Sequence, residues 1–126
     1  MTHLLDTDVI VNHIRKIEQI ELPKTTQLAI SIISHAELLY GTEKTFNPKK
    51  IGRDLEVVIS KLAIRIINLD YKIIKLFAHI KVNLEKSGER LEDFDLLIAA
   101  TALEHDLILV TANYRHFSRI PKLKLA

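Results

Sequence analysis

The stretch LLDTDVI places Asp6 and Asp8 one residue apart, just after an apolar run. Asp-x-Asp at the end of a strand suits metal-assisted phosphate chemistry, and it equally suits the start of a helix. Other acids bear on the choice. Glu37 closes SHAE, and Asp93 and Asp95 open a helix-like run in EDFDLLIAATA. If Asp6, Glu37 and Asp95 converge, they cannot all stay ionised without a cation. Hard oxygen ligands select Mg²⁺ or Mn²⁺. The reaction expected of such a centre is phosphodiester hydrolysis by a metal-activated water. Other chemistries lack their parts. The chain has no cysteine and no G-x-S-x-G elbow for acyl transfer, and its three glycines form neither a phosphate-binding loop nor a dinucleotide fingerprint.

Each acid also has a purely structural reading. Ser34 and Glu37 have the spacing of a capping box. Asp8 or Thr7 can cap the first helix, and Asp93 the helix that follows it, with Asp95 suiting the dipole of a first turn. Asp6 is the exception, because it lies at the strand end, upstream of the expected cap.

The elements that must position these acids alternate along the chain. HLLD reads as a buried strand, and DVIVNHIRKI spaces Ile10, Ile14 and Ile17 as a helix. TQLAISII, AIRIINL and LILVT read as three more strands. Between them lie SHAELLYGTEK with Gly41 as its stop, a helix opened by Asn47 and Pro48, a long helix capped by Asp70 and ended by Gly88, and EDFDLLIAATALEHD. The C-terminal ANYRHFSRIPKLKLA reads as a loop with at most one helical turn, since Pro121 bars a long helix. Strands alternating with helices predict one α/β domain with a parallel sheet covered on both faces. Asp6, Glu37 and Asn113 then fall at the carboxyl edge of the sheet, where open α/β folds bind ligands. Connectivity alone puts Asp93 and Asp95 at the opposite edge unless the long crossover returns them.

Composition sets the frame. With 126 residues, 48% of them hydrophobic, the chain fits a single domain burying roughly two-thirds of its unfolded surface. No apolar run approaches the ~20 residues of a membrane span, and no signal peptide opens the chain. A soluble, cytoplasmic protein is expected. The net charge is only +2, but Arg115, Arg119, Lys122 and Lys124 form an acid-free basic end, suited to phosphate contact or simply to solvation.

Taken in order and spacing, LLDTDVI, ISHAELLYG, FDLLIAATAL and LVTANYRHF resemble the PIN-domain ribonucleases, most closely the VapC-type toxins of toxin–antitoxin pairs. The resemblance spans nearly the whole chain. It implies a three-layer α/β/α sandwich around a parallel sheet of four to five strands, over residues 1–126. It also implies that the helix at Asp95 brings its carboxylate to the site. By similarity, Asp6, Glu37 and Asp95 are the metal-binding catalytic acids. Thr7, Ser34, Thr111 and Asn113 match polar positions flanking them. His116 stands where many relatives carry an acid, which leaves the number of metals, one or two, open. The resemblance further implies Mg²⁺- or Mn²⁺-dependent cleavage of RNA, a homodimer, and a small antitoxin covering the acidic cleft. Arg90, Arg115, His116 and Arg119 are the expected RNA contacts. Two other functions compete: a non-catalytic RNA- or partner-binding module, and a haloacid-dehalogenase-type phosphatase with Asp6 as nucleophile and Asp8 as acid/base.

Overall fold

The structure, a computed structural model, describes residues 2–16 and 19–126. Ile17, the third of the apolar positions assigned to the first helix, lies outside them. Four short strands run β1 (His3–Leu5), β2 (Leu28–Ser31), β3 (Arg65–Ile67) and β4 (Ile108–Val110). They pair in the order β3-β2-β1-β4, every pairing parallel, with His3 level with Leu28 on one side and Ile108 on the other. A parallel bridge from Leu109 to Leu125 adds the beginnings of a fifth strand beyond β4.

The strands are continuous apolar runs because both faces of the sheet are covered. Alternate residues therefore feed separate cores. Leu4, Ala29 and Leu109 point into one core, completed by Ile73 and Ile80 of α4 (Tyr71–Lys86), by α5 (Asp93–Glu104) and by Phe117 of the single turn α6 (Tyr114–Phe117). Leu5, Leu28 and Ile30 point into the other, with Ile10 of α1 (Thr7–Ile14), Leu38 of α2 (Ile32–Glu43) and Leu55 of α3 (Pro48–Lys61). This is the expected three-layer sandwich. In α5, Leu96 and every residue from Ile98 to Ala102 are buried. The helix is therefore apolar nearly all round.

Some helix ends follow the local chemistry. Asn47 caps α3, with Pro48 at its first position. Asp70 caps α4 by accepting from the Ile73 amide at 2.9 Å. Gly88, at φ +72°, takes the left-handed turn after α4 that a side chain would resist.

Others correct the expectation. α1 begins at Thr7, so its N-cap is Asp6, and Asp8 lies in the first turn. α2 begins at Ile32 and is capped by Ser31, which accepts from the Ile33 amide at 3.1 Å. Ser34 and Glu37 therefore form no capping box. Gly41 sits inside α2, two residues before its end at Glu43. Asp93 is the first residue of α5, not its cap, and forms an ion pair with Lys81 of α4 at 2.8 Å. The basic end is tied down rather than free. The Leu109 amide donates to the Lys124 carbonyl at 2.8 Å, and Ala126 returns a bond to Leu109 at 2.9 Å. Among the described residues, no helix is long and apolar enough to cross a membrane.

Phe117 is fully buried beside the β4 end of the sheet. Phe117→Ala is expected to cost about 3–5 kcal/mol, measured as the shift in a urea unfolding curve at constant slope.

Candidate active site

Asp6 follows directly on β1 and is 5% exposed. Its two oxygens are held separately. Oδ1 accepts from the Thr7 amide at 2.8 Å, and Oδ2 accepts from the Thr111 hydroxyl at 2.8 Å. Thr111, at the end of β4, is in turn fixed by the Asn113 amide, which donates to its Oγ1 at 2.9 Å. The contribution of Asn113 thus comes through its backbone; its side chain caps nothing.

Glu37, in α2, accepts from the Thr7 hydroxyl at 2.7 Å. Asp95, in the first turn of α5, lies 3.0 Å from His116 Nε2 through its Oδ2. The crossover does return the α5 start to the carboxyl edge, because Asp95 meets His116 just beyond β4 and lines one cleft with Glu37. Asp8, exposed on α1, adds its charge to both. Burial pushes the Asp6 carboxyl up from an ordinary 3.8 to about 6; the bonds from Thr111 and Thr7 oppose this, and the charges of Asp8 and Asp95 add to it. Burial also raises Asp95, against the pull of His116.

A cleft of about 730 Å³ opens beside these groups, lined by Glu37, Asp95 and His116 and also by Arg90 and Phe94. Six carboxylates line it against two bases, Lys81 and Arg90. An anionic backbone entering here meets net negative charge, which a cation at the acids would offset. Among the described residues, no three His, Asp or Glu side chains form a set that could hold a metal ion as they stand. Glu37 is engaged by Thr7 and Asp95 by His116. The donor types still fit a hard cation, and mutual repulsion at Asp6 is what such a cation relieves.

The remaining expected residues fall in different places. Arg90 is exposed at the cleft. Arg115 and Arg119 are exposed and line neither this cleft nor a second one of about 710 Å³ beyond Thr111. His116 faces Asp95 rather than open solvent. Ser34 is fully buried, and its hydroxyl has no hydrogen-bond partner among the described residues. Neither the Thr7–Glu37 bond nor the His116–Asp95 bond carries a local sequence signal.

The PIN domain model matches residues 3–123. The chain belongs to the PIN-domain family. Within it, the curated relatives are VapC ribonucleases. Ribonuclease VapC2 of Rickettsia felis is 34% identical over 99% of this chain and 96% of its own length. The tRNA(fMet)-specific endonuclease VapC of Salmonella typhimurium is 31% identical over 97% of this chain and 94% of its own length. The crystal structure of VapBC2 from Rickettsia felis, bound to a DNA fragment from its promoter, contains a chain with TM-score 0.89 and 31% identity, covering 100% of this chain and 98% of that one. This PIN-domain membership leaves the dehalogenase-type phosphatase reading without support.

Two outcomes follow from the geometry. Without divalent cations, the native state binds more protons at Asp6 than the unfolded chain does between about pH 4 and pH 6, so stability falls as pH rises through that window. At about 1.4 kcal/mol per pH unit, Asp6→Asn is expected to be more stable than the native chain above pH 6, by up to about 3 kcal/mol, and equal to it near pH 3. Urea titrations across pH in chelator check this. Ser34→Ala removes an unsatisfied buried hydroxyl and is expected to raise stability by about 1 kcal/mol. A drop in the urea midpoint would show that the hydroxyl has a partner after all.

Proposed function

We propose that this chain is a metal-dependent endoribonuclease of the VapC type, the toxin of a toxin–antitoxin pair. One observation carries the reading: carboxylates from the β1–α1 junction, α2 and α5 gather at one sheet edge, and the innermost, Asp6, is buried with both oxygens held by hydrogen bonds. The relatives' names, ribonuclease and endonuclease, agree with it. Asp6, Glu37 and Asp95 would hold Mg²⁺ or Mn²⁺. Bound there, such an ion supplies positive charge for the scissile phosphate and lowers the pKa of the attacking water.

The protein's own groups do the positioning. Thr111 and the Thr7 amide fix both oxygens of Asp6, so the first ligand is aimed before any cation arrives. The Thr7 hydroxyl holds Oε1 of Glu37, which leaves Oε2 to ligate. Asn113 holds Thr111 and so acts on Asp6 indirectly. Arg90 at the cleft, with Arg115 and Arg119 outside it, would take up backbone phosphates of an RNA strand. A single-stranded stretch suits a recessed site, because its backbone can bend inward.

A cognate antitoxin and a homodimer complete the proposal. The antitoxin is supported by the solved VapBC complexes. An acidic cleft also suits a basic antitoxin segment.

Asp6→Asn and Asp95→Asn are each expected to lower the rate of RNA cleavage in Mg²⁺ by at least about 100-fold, and excess EDTA to abolish it. Gel assays on a structured RNA measure both. Cleavage that survives both substitutions would overturn the proposal. RNA binding without any Mn²⁺ binding would favour the non-catalytic module.

A further inference from the structure

We propose that His116 is a positioning residue: its imidazole holds Oδ2 of Asp95 so that Oδ1 is left to ligate a divalent cation. The inference rests on the reading of Asp95 as a metal ligand given above. Asp95 and His116 come from different elements, α5 and α6, and meet at 3.0 Å with each side chain about one-quarter exposed. The bond requires the hydrogen on Nε2, since an ionised carboxylate offers only acceptors.

The imidazole is itself held in place. α6 is a single turn, wound by the His116 amide donating to the Asn113 carbonyl at 3.1 Å. The next residue, Phe117, is buried in the core and meets the imidazole edge-on, at 5.8 Å between ring centres and 90° between planes. Asn113 opens this turn and also fixes Thr111, which holds Asp6. One segment, from Thr111 to His116, therefore grips both carboxylates: Asp6 through a hydroxyl and Asp95 through an imidazole. A partner of this kind on a ligating group orients it, and losing one commonly costs 10- to 100-fold in metal affinity. With Nε2 engaged by Asp95, ligation or phosphate contact by His116 falls to Nδ1 or requires Nε2 to leave Asp95.

The test is Mn²⁺ affinity of the full chain, read from the EPR signal of free Mn²⁺. Native protein, His116→Ala, His116→Gln and Asp95→Asn are compared, with thermal unfolding to confirm that each is folded. His116→Ala is expected to weaken Mn²⁺ binding about 10-fold. His116→Gln, which can present an amide N–H near the same point, is expected to recover most of the loss. In an Asp95→Asn background, His116→Ala should cost nothing further.

Equal affinity in His116→Ala and the native chain overturns the inference. So does a His116→Gln variant as weak as His116→Ala together with nitrogen coupling to bound Mn²⁺ in pulsed EPR, which would make His116 a ligand. So does weakened RNA binding at unchanged Mn²⁺ affinity, which would make it a phosphate contact. A native chain that binds no Mn²⁺ refutes the underlying reading and the inference with it. Binding by the native chain with no change in His116→Ala refutes the inference alone.

Discussion

A carboxylate buried to 5% exposure is the constraint around which the rest of this fold is arranged. Leaving such a group unsatisfied costs several kcal/mol, so Asp6 needs donors from what surrounds it. One comes from its own chain, as α1 starts at the very next residue and turns the Thr7 amide onto Oδ1. The other must come from the neighbouring strand. Leu5 is level with Val110, and the Asp6 amide extends that pairing by donating to the Val110 carbonyl at 2.9 Å. Thr111 therefore arrives beside Asp6 by strand register alone. A slip of one residue between β1 and β4 would turn Thr111 to the opposite face and leave Oδ2 bare.

These two hydrogen bonds do not fully offset burial. Asp6 stays raised because burial outweighs them and the carboxylates of Asp8 and Asp95 work against ionisation. The strands thus hold a charged group where the local field disfavours its charge. Perturbed acids of this kind gather at functional sites more often than elsewhere. The same field runs along the cleft, where six carboxylates face two bases although the whole chain carries a net +2. Positive charge is outnumbered in the cleft, while Arg115 and Arg119 stand exposed outside it. That distribution separates a cation-demanding centre from a surface able to meet phosphates.

Much of the fold was legible because its signals are local. Asn47, Asp70 and Gly88 act on the backbone within a few residues of themselves, and the apolar runs mark buried strands wherever they occur. The errors arose where two residues offered the same signal. Ser31 and Ser34 both precede a helical run, and the capping-box spacing favoured Ser34. In the fold β2 passes straight into α2 with no loop between them, so Ser31 is the residue at the junction. That shift moves Glu37 from the first turn to the second and frees its carboxylate for Thr7. At the first helix, Asp6 took the cap expected of Asp8 or Thr7 because it is the single residue between the end of β1 and the start of α1. The acids themselves were legible by type and resemblance. Thr7 and Thr111 were named by resemblance as flanking residues, but which acid each holds was not legible, nor was the pairing of His116 with Asp95, since Thr111 and Asp6 lie 105 positions apart and His116 and Asp95 lie 21 apart.

The three acids meet because their elements belong to different layers that share one edge. β1 sends Leu4 to one core and Leu5 to the other, so Asp6 emerges between them. α2 does the same as a helix, with Ile33 packed on the first core and Leu38 in the second, which carries Glu37 over the rim. α5 belongs to the first core alone, and it packs along α4, with the exposed Lys81–Asp93 pair where its N-terminus meets that helix. Sheet, bridging helix and outer layer therefore each contribute one carboxylate. Their spacing is set by core packing rather than by the loops, and cores do not deform continuously. A rim fixed in this way leaves only side-chain torsions to adjust when a cation arrives. Thr7 and His116, each bonded to one of the two less buried acids, are the groups that control those torsions.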